Sequence, residues 1–588
     1  MFMCGINGFN FPDKALINKM NKLLNHRGPD SQGEYSDSFV TLGQTRLSII
    51  DLSSAGNQPM PNEDESVWTV YNGEVYNFKE LKDNLKEKHK FRSETDTEVL
   101  IHLYEEYGKE MIPMLNGMFA FCLYDSNKKQ LLLARDRTGV KPLYYYFDGE
   151  RFIFSSEIKA ILAHGMPRAI NKEALTFYLM YGYTLDYSLM DGIKQLPPSS
   201  YIIFDINKKT IQEGKYWSLE EKEISADINS IEFLLKDSVK RRLISDVPVG
   251  AYLSGGIDSS LITALSRPYI DEYHTFSVGF DEGVYSELPF AKMVSEHLDT
   301  IHHEVVVTCD KVIKEIDNIV WHYDDPIAEG GTIPNYFISR AAKKYVTVAL
   351  AGEGGDEVFG GYKWYRYQQK LVNYSRFVPK VPEIGKFFTR KKIRMFNSAK
   401  KGIEELQSIT QSWISLDEIM NISNFNFENP QVKFLSRCKN NLTKNLNKMQ
   451  YVDINTLLQS YNQKADRMTM AFHVEERVPF QDYRLIEASF SLPEDQRINN
   501  GNEKYIIKKI GEKYLPKEIV TREKRGYGVP ISFWIENLLK EEIERRLDSS
   551  KLVEDRIFKK DFMNNIRYYP TNIWSLYSLE LWYDNYIN

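Results

Sequence analysis

Two clusters near the middle of the chain could handle phosphate and a metal ion, and one thiol near its start could act as a nucleophile. The run Leu253-Ser254-Gly255-Gly256-Ile257-Asp258-Ser259-Ser260 joins an apolar stretch to an amphipathic one. Between a strand and a helix, free backbone N–H groups and the helix dipole make an anion site. The glycines let the backbone come close, and Ser254, Ser259 and Ser260 add hydroxyl donors. The run lacks the Gly-Lys-Ser/Thr ending of a Walker loop. Asp258 offers a carboxylate of the kind that holds Mg2+ against phosphate. A second run, Ala351-Gly352-Glu353-Gly354-Gly355-Asp356-Glu357, sets acids among glycines, which suits metal binding and proton transfer. Taken singly, a capped glycine turn and a solvated acidic turn would account for them. Together they argue for one site.

The four cysteines are Cys4, Cys122, Cys309 and Cys438, with no CxxC pair and no histidine cluster at zinc spacing, which argues against a disulfide framework or structural zinc. Three read as inert thiols. Cys4 differs because it opens the run Cys4-Gly5-Ile6 almost at the chain start.

Elements must position these groups. Short β-type runs at 67–71, 120–124, 130–134 and 152–155, separated by turn dipeptides such as Asn72-Gly73 and Asp148-Gly149, predict a mostly antiparallel α+β first half over 4–206. A polar stretch, 207–229, reads as a linker. Beyond it, apolar strands alternate with amphipathic helices, which predicts an α/β parallel-sheet second half over 230–588. Its first strand and helix are read at 248–253 and 261–265, a second buried strand at 345–351, and a Lys-rich helical region at 368–447. Ligands of such sheets bind at the carboxyl ends of the strands, where both glycine runs fall.

At 588 residues the chain exceeds one core, and 42% hydrophobic with 27% charged residues is ordinary for a globular protein. A net charge of −6 gives no electrostatic reason to expect nucleic acid or an anionic membrane. No apolar run approaches the roughly 20 residues of a membrane span, and the start lacks signal-peptide character, so a cytoplasmic protein acting on small molecules is expected.

The loop at 253–260 resembles the pyrophosphate loop of the ATP pyrophosphatases, which cleave ATP between its α- and β-phosphates. Cys4-Gly5-Ile6, His26-Arg27-Gly28-Pro29-Asp30, Arg46-Leu47-Ser48-Ile49-Ile50-Asp51, Tyr71-Asn72-Gly73-Glu74, Thr95-Asp96-Thr97-Glu98, Arg135-Asp136-Arg137 and Ser155-Ser156-Glu157 look like successive motifs of the N-terminal-nucleophile glutaminases. In this order the two resemble the glutamine-hydrolysing asparagine synthetase family. The match is dense from Cys4 to Gly361 and resumes at Arg477-Val478-Pro479-Phe480 and at 524–530.

The resemblance implies an αββα glutaminase domain followed by an ATP-pyrophosphatase synthetase domain. Cys4 would be the nucleophile, activated by its own α-amine, while Asn72 and the Gly73 N–H would form the oxyanion hole. Arg46 and Asp96 would hold the carboxylate and amine of glutamine, with Leu47, Ile49 and Glu74 beside them. Ser254, Gly255, Gly256, Asp258, Ser259 and Ser260 would grip pyrophosphate, and Leu253, Val278, Ala351 and Gly352 would line the adenosine. Asp258 and Asp356 would hold Mg2+, Glu353 would deprotonate the attacking ammonia, and Lys504 would face the charged intermediate. ATP, glutamine and aspartate are the implied small-molecule partners. A homodimer is compatible with the family, and neither nucleic acid nor membrane is implied.

The sequence departs from the pattern in one respect. Met1-Phe2-Met3 would turn the Cys4 amine into a non-basic amide, so a start at Met3 followed by its removal is expected; a glutaminase half that is inactive and fed by free ammonia is the alternative. Ala351 stands where the family often has serine. The motifs do not read the acceptor's side chain, so a sugar carboxylate remains the alternative to aspartate, and the 524–530 loop could face either.

Overall fold

The computed structural model describes residues 2–221, 226–283, 286–375, 377, 387–523, 528–566 and 569–587. Residues 524–527 of the expected acceptor loop and 222–225 of the expected linker lie outside them.

Alternation along the strands builds the first half. In Gly117–Asp125, Ala120, Cys122 and Tyr124 face one core while Phe119, Phe121 and Leu123 face another. Gln130–Arg135 and Phe152–Ser155 divide their residues in the same two-residue rhythm. The first core is filled by strand residues, including Cys4, Ile6, Leu42 and Phe204, so it lies between sheet layers. The outer faces take helices: Leu81, Val99 and Leu103 on one side, Ile17, Met20 and Ile158 on the other. Helix, sheet, sheet and helix therefore stack in the expected αββα order, and among the described residues twelve strands join in one continuous antiparallel network.

Two local expectations are corrected. Asn72-Gly73 is not a turn: both residues lie inside the strand Val67–Val75, opposite Ala120 and Phe119. A β-carbon at Gly73 would sit 2.2 Å from the Met118 carbonyl oxygen, so the glycine serves close backbone approach. Within the polar stretch 207–229, Thr210–Lys215 forms a strand paired with Ser200–Asp205 of the first half. A solvated sheet edge explains its polarity, which made it look like a linker.

In the second half five parallel strands run in the order Ile301–Val307, His274–Phe280, Val249–Tyr252, Val348–Leu350, Glu475–Arg477. Chain order reverses between the third and fourth of these. That is a topological switch point, where side chains cannot close the crevice at the carboxyl edge. Both glycine runs leave from the strands flanking it. The 368–447 region is mostly helical where described, with Ile403–Thr410 and Asn445–Asn455 packing around Leu406 and Met449.

Candidate active sites

The strand Phe2–Phe9 pairs Cys4 directly opposite Arg46 on Thr41–Ser48. Cys4 is wholly buried, and its Sγ accepts a hydrogen bond from Gln44 Nε2 at 2.6 Å. Its backbone N–H donates to Asn72 Oδ1 at 3.1 Å, and its carbonyl accepts from Arg27 Nε at 3.2 Å. Burial pushes the thiol up to about 12. In this state the sulfur is a thiol, and only a base at its side could make it react.

Asn72 spends its carbonyl on Cys4, and its buried Nδ2 has no hydrogen-bond partner among the described residues. A buried amide donor beside a nucleophile, next to a glycine, suits an oxyanion that appears only in the transition state. Tyr71 and Val75 of the same strand fasten Asp96, whose Oδ2 accepts from the Tyr71 hydroxyl at 2.7 Å and the Val75 N–H at 2.8 Å. Asp96 Oδ1 is buried without a hydrogen-bond partner among the described residues. Burial raises this carboxyl to about 6. Arg46 is anchored on the other wall by the carbonyls of Ser53 and Asp51 and by Asn57 Oδ1. Leu47 and Ile49 are buried behind it. Glu74 behaves differently from its neighbours: its side chain turns toward the second half and meets Arg477.

At the switch point, Ser254 and Ser259 bond each other through their hydroxyls at 2.9 Å, and the Gly256 N–H donates to Ser254 Oγ. Gly255 adopts φ +71°, and a β-carbon there would strike the Ala291 nitrogen at 2.6 Å. The helix Ile257–Ser266 begins at once, with Gly256 as its cap, so its N-terminus is aimed into the crevice. Ser260 is fully buried, its hydroxyl without a partner among the described residues. A cleft beside the loop is lined by Ser254, Ser277, Val278, Phe280, Ala291 and Gly528. Leu253 is buried, its backbone bonded to Phe276 and Ser277 rather than open to the cleft.

The second glycine run closes on the first. A β-carbon on Gly352 would approach the Ser259 nitrogen to 2.8 Å, and one on Gly355 would approach Asp258 Oδ1 to 2.7 Å. Lys504, buried and held at φ +54°, ion-pairs with both Asp258 and Asp356. Those two carboxylates raise its pKa further despite burial. Two carboxylates sharing one cation can also share a divalent ion bound to phosphate, so the donor set fits Mg2+. Glu353 is half-buried, its carboxyl raised by burial although Lys464 opposes the shift. Glu476 is buried beside it and held well above the usual carboxylate range by burial and by the charge of Glu353.

Four contributors escaped sequence reasoning. Arg477 and Glu476 sit on the last parallel strand, Arg522 bonds the Gly255 carbonyl at 2.8 Å, and Met118 abuts Gly73. The 477–480 motif was a usable signal for the first pair. Met118 carried no chemical signal.

The two candidate sites lie on either side of an interface between the halves. Tyr76, Met118 and Val140 from the first half form one buried apolar cluster with Ala351 and Val478 from the second. Arg27 pairs with Asp466 at 2.8 Å, and Asp246 joins the Ile49 carbonyl and the Asp51 N–H.

Comparison with known proteins matches residues 3–217 to the glutamine amidotransferase domain family and residues 230–584 to the asparagine synthase family. The chain is 35% identical over 586 residues to glutamine-hydrolyzing asparagine synthetase 1 of Bacillus subtilis, covering 95% of this chain and 92% of that one. It is 41% identical over 412 residues to a putative glutamine-hydrolyzing asparagine synthetase 2 of Methanocaldococcus jannaschii, covering 64% of this chain and 79% of the relative. Against glutamine-hydrolyzing asparagine synthetase B of Escherichia coli the identity is 28% over 552 residues, with 89% and 80% covered.

Proposed function

The chain belongs to the glutamine-hydrolysing asparagine synthetase family, and from that premise we propose that its two sites act in sequence on one nitrogen atom. It is an ATP-dependent carbon–nitrogen ligase that makes asparagine from aspartate with glutamine as nitrogen donor. The observation that carries the two-site reading is the apolar cluster running from Met118, which abuts Gly73, to Ala351, which precedes Gly352. An uncharged seam between the sites lets neutral ammonia pass where water would protonate it.

In the first site the free α-amine of Cys4 takes the thiol proton and the sulfur attacks the glutamine amide carbon. Arg46 and Asp96 orient the zwitterion, while Asn72 Nδ2 and the Gly73 N–H take up the charge that develops on the amide oxygen. The C–N bond breaks, ammonia leaves with the transferred proton, and water hydrolyses the thioester to glutamate. Burial of Cys4 explains why the base must be local.

In the second site the aspartate side-chain carboxylate attacks the ATP α-phosphorus and pyrophosphate departs toward Ser254, Gly255, Gly256 and Ser259. Mg2+ held by Asp258 and Asp356 would neutralise charge on the leaving pyrophosphate. Lys504 holds the two carboxylates in place and faces the acyl adenylate. Ammonia then attacks the acyl carbon, Glu353 accepts its surplus proton, and AMP leaves. A carboxyl raised by burial is nearer in pKa to its task than an ordinary one. Val278 and Gly352 line the adenosine, with Leu253 and Ala351 behind them.

The reading places the enzyme in the cytoplasm. It divides the chain at 4–206 and 230–588, with Thr210–Lys215 packed on the first part, and leaves a homodimer compatible.

The test uses protein that begins at Cys4, given ATP, Mg2+, aspartate and amide-15N glutamine in an excess of unlabelled ammonium. Aspartate-dependent AMP and pyrophosphate, with asparagine carrying mostly 15N, is the expected result. Label diluted to the bulk ratio would sink the sheltered transfer. Pyrophosphate release indifferent to aspartate would sink the acceptor and send the search to sugar carboxylates.

A further inference from the structure

A second chemical constellation lies in the glutaminase half, outside both active sites. Glu63, His89, His102 and Glu105 each offer one ligand atom, and all four atoms lie within 4.8 Å of one another. They come from three separate pieces of chain. Glu63 follows the short strand Met60–Pro61, His89 follows the helix Phe78–Leu85, and His102 and Glu105 are neighbours on the helix Asp96–Tyr107. We propose that these four side chains form a tetrahedral site for a divalent transition metal, with Zn2+ the best fit.

The spacing carries the first part of the argument. His89 Nδ1 is 3.5 Å from Glu63 Oε1 and 3.6 Å from Glu105 Oε2, and His102 Nδ1 is 3.6 Å from Glu63 Oε2. Zinc bonds of about 2.0–2.1 Å in a tetrahedron put neighbouring ligand atoms about 3.3–3.4 Å apart. The two edges at His89 Nδ1 are thus already near the length a bound ion sets, while His102 Nδ1 faces the other oxygen of Glu63, so that carboxylate must turn to offer one atom to both imidazoles. A further edge, His102 Nδ1 to Glu105 Oε2, is 2.8 Å and must open by about half an ångström on that count. Two imidazoles with two carboxylates select zinc and its neighbours over Mg2+ or Ca2+, which take all-oxygen shells.

The surroundings carry the second part. Both histidines turn the same nitrogen, Nδ1, toward the shared point, their rings stacked at 4.3 Å. Each turns the other nitrogen toward a further carboxylate: His89 Nε2 lies 3.4 Å from Glu106 Oε1, and His102 Nε2 lies 3.9 Å from Glu98 Oε1. A carboxylate behind a ligating imidazole is the arrangement that fixes its tautomer at zinc sites. Those outer acids are themselves held. Glu98 accepts from the backbone of Arg92 and Ser93 and from the Ser93 hydroxyl, and Lys88 pairs with Glu106. Asn62 Nδ2 takes Glu105 Oε1 at 2.7 Å, which leaves Oε2 for the shared point. His102 is 1% exposed and Glu63 34%, so the imidazoles form a buried floor under carboxylates open to solvent.

The consequence reaches the glutamine pocket. The metal would tie the 62–66 turn and the 86–95 loop to the helix whose first residue is Asp96. It would act as a clasp on the wall that holds the substrate amine, and it would play no part in the chemistry.

The test takes the full chain, stripped with EDTA and exchanged into Mg2+ buffer, and adds Zn2+ or Co2+ alone. Expected are one tightly held zinc per chain by elemental analysis, a rise in Tm on adding zinc, and an intense visible Co2+ spectrum of the tetrahedral kind. His89→Gln and the half-exposed Glu63→Gln, two variants outside the buried core, should each lose the bound zinc, the Tm response and the spectrum while keeping a cooperative unfolding transition. Wild-type protein that takes up no zinc in Mg2+ buffer would overturn the proposal. So would variants that retain wild-type stoichiometry and spectrum, since the ion would then sit elsewhere.

Discussion

Glu74 Oε2 and Arg477 Nη2 meet at 2.8 Å, both side chains fully buried, across a separation of 403 residues. Glu74 follows Gly73, and Arg477 ends the strand that carries Glu476. The same guanidinium donates to the Arg242 and Ile244 carbonyls and pairs with Glu475. One ion pair therefore links the strand that carries Asn72 and Gly73 to the last strand of the parallel sheet.

Arg477→Met strands two buried carboxylates, Glu74 and Glu475, and a loss of about 3–5 kcal/mol or more is expected. Denaturant unfolding would read it. In protein that remains folded, glutamate released per asparagine should rise above parity, because the seam at the interface no longer closes. Glu74→Gln combined with Arg477→Met should recover part of the stability, since of the two carboxylates only Glu475 is then left without its guanidinium.

Cys4→Ala should lower glutamine-dependent synthesis by about a thousandfold or more and leave ammonia-dependent synthesis in place. Protein that retains Met1-Phe2-Met3 should show the same defect. Its Cys4 nitrogen is an amide that donates to Asn72 Oδ1, and the thiol stays near 12. Mass spectrometry of the N-terminus with a glutaminase assay checks both.

Asn72→Ala removes the unpartnered Nδ2 donor. A fall in glutaminase kcat of roughly a hundredfold or more is expected, with the KM for glutamine nearly unchanged, because the oxyanion is absent from the bound substrate. Steady-state kinetics with glutamine alone would decide. A rise confined to KM would mean that Asn72 holds substrate and not transition state.

The Asp96 carboxyl titrates at about 6. Glutamine's ammonium needs the ionised form, so its KM should climb about tenfold per pH unit below that point. Asp96→Asn should show a high KM throughout, with no inflection. The stability effect runs the opposite way: with its folded pKa raised, Asp96 contributes stability fully below about 3.8 that is lost as pH rises through about 6.

Glu353→Gln should still release pyrophosphate from ATP and aspartate while asparagine formation falls by about a hundredfold to ten-thousandfold. Single-turnover assays that follow both products separate the steps. Equal loss of both would assign Glu353 to adenylation.

The sequence by itself determined the local chemistry and most of the elements. Glycines and serines at 254–260 had to be a turn feeding a helix, since few other uses tolerate that composition. The short β-type runs at 120–124 and 130–134 were legible as strands, while their division between two cores was not. What composition could not reveal was partnership at long range. Asn72-Gly73 looks like a turn locally and becomes a strand only because Met118 and Phe119 press against it. The polar 210–215 stretch looks like a linker and pairs only because Ser200–Asp205 leaves an edge beside it. Glu74 reads as a glutamine-pocket residue until Arg477 turns it toward the other half. Glu63, His89, His102 and Glu105 have no recognisable spacing because their closeness is made by three chain segments packing on one helix. A spacing pattern reports what one element holds on one face, whereas tertiary packing decides which charges and backbones meet across elements. The interface and its buried ion pairs belong to that second kind.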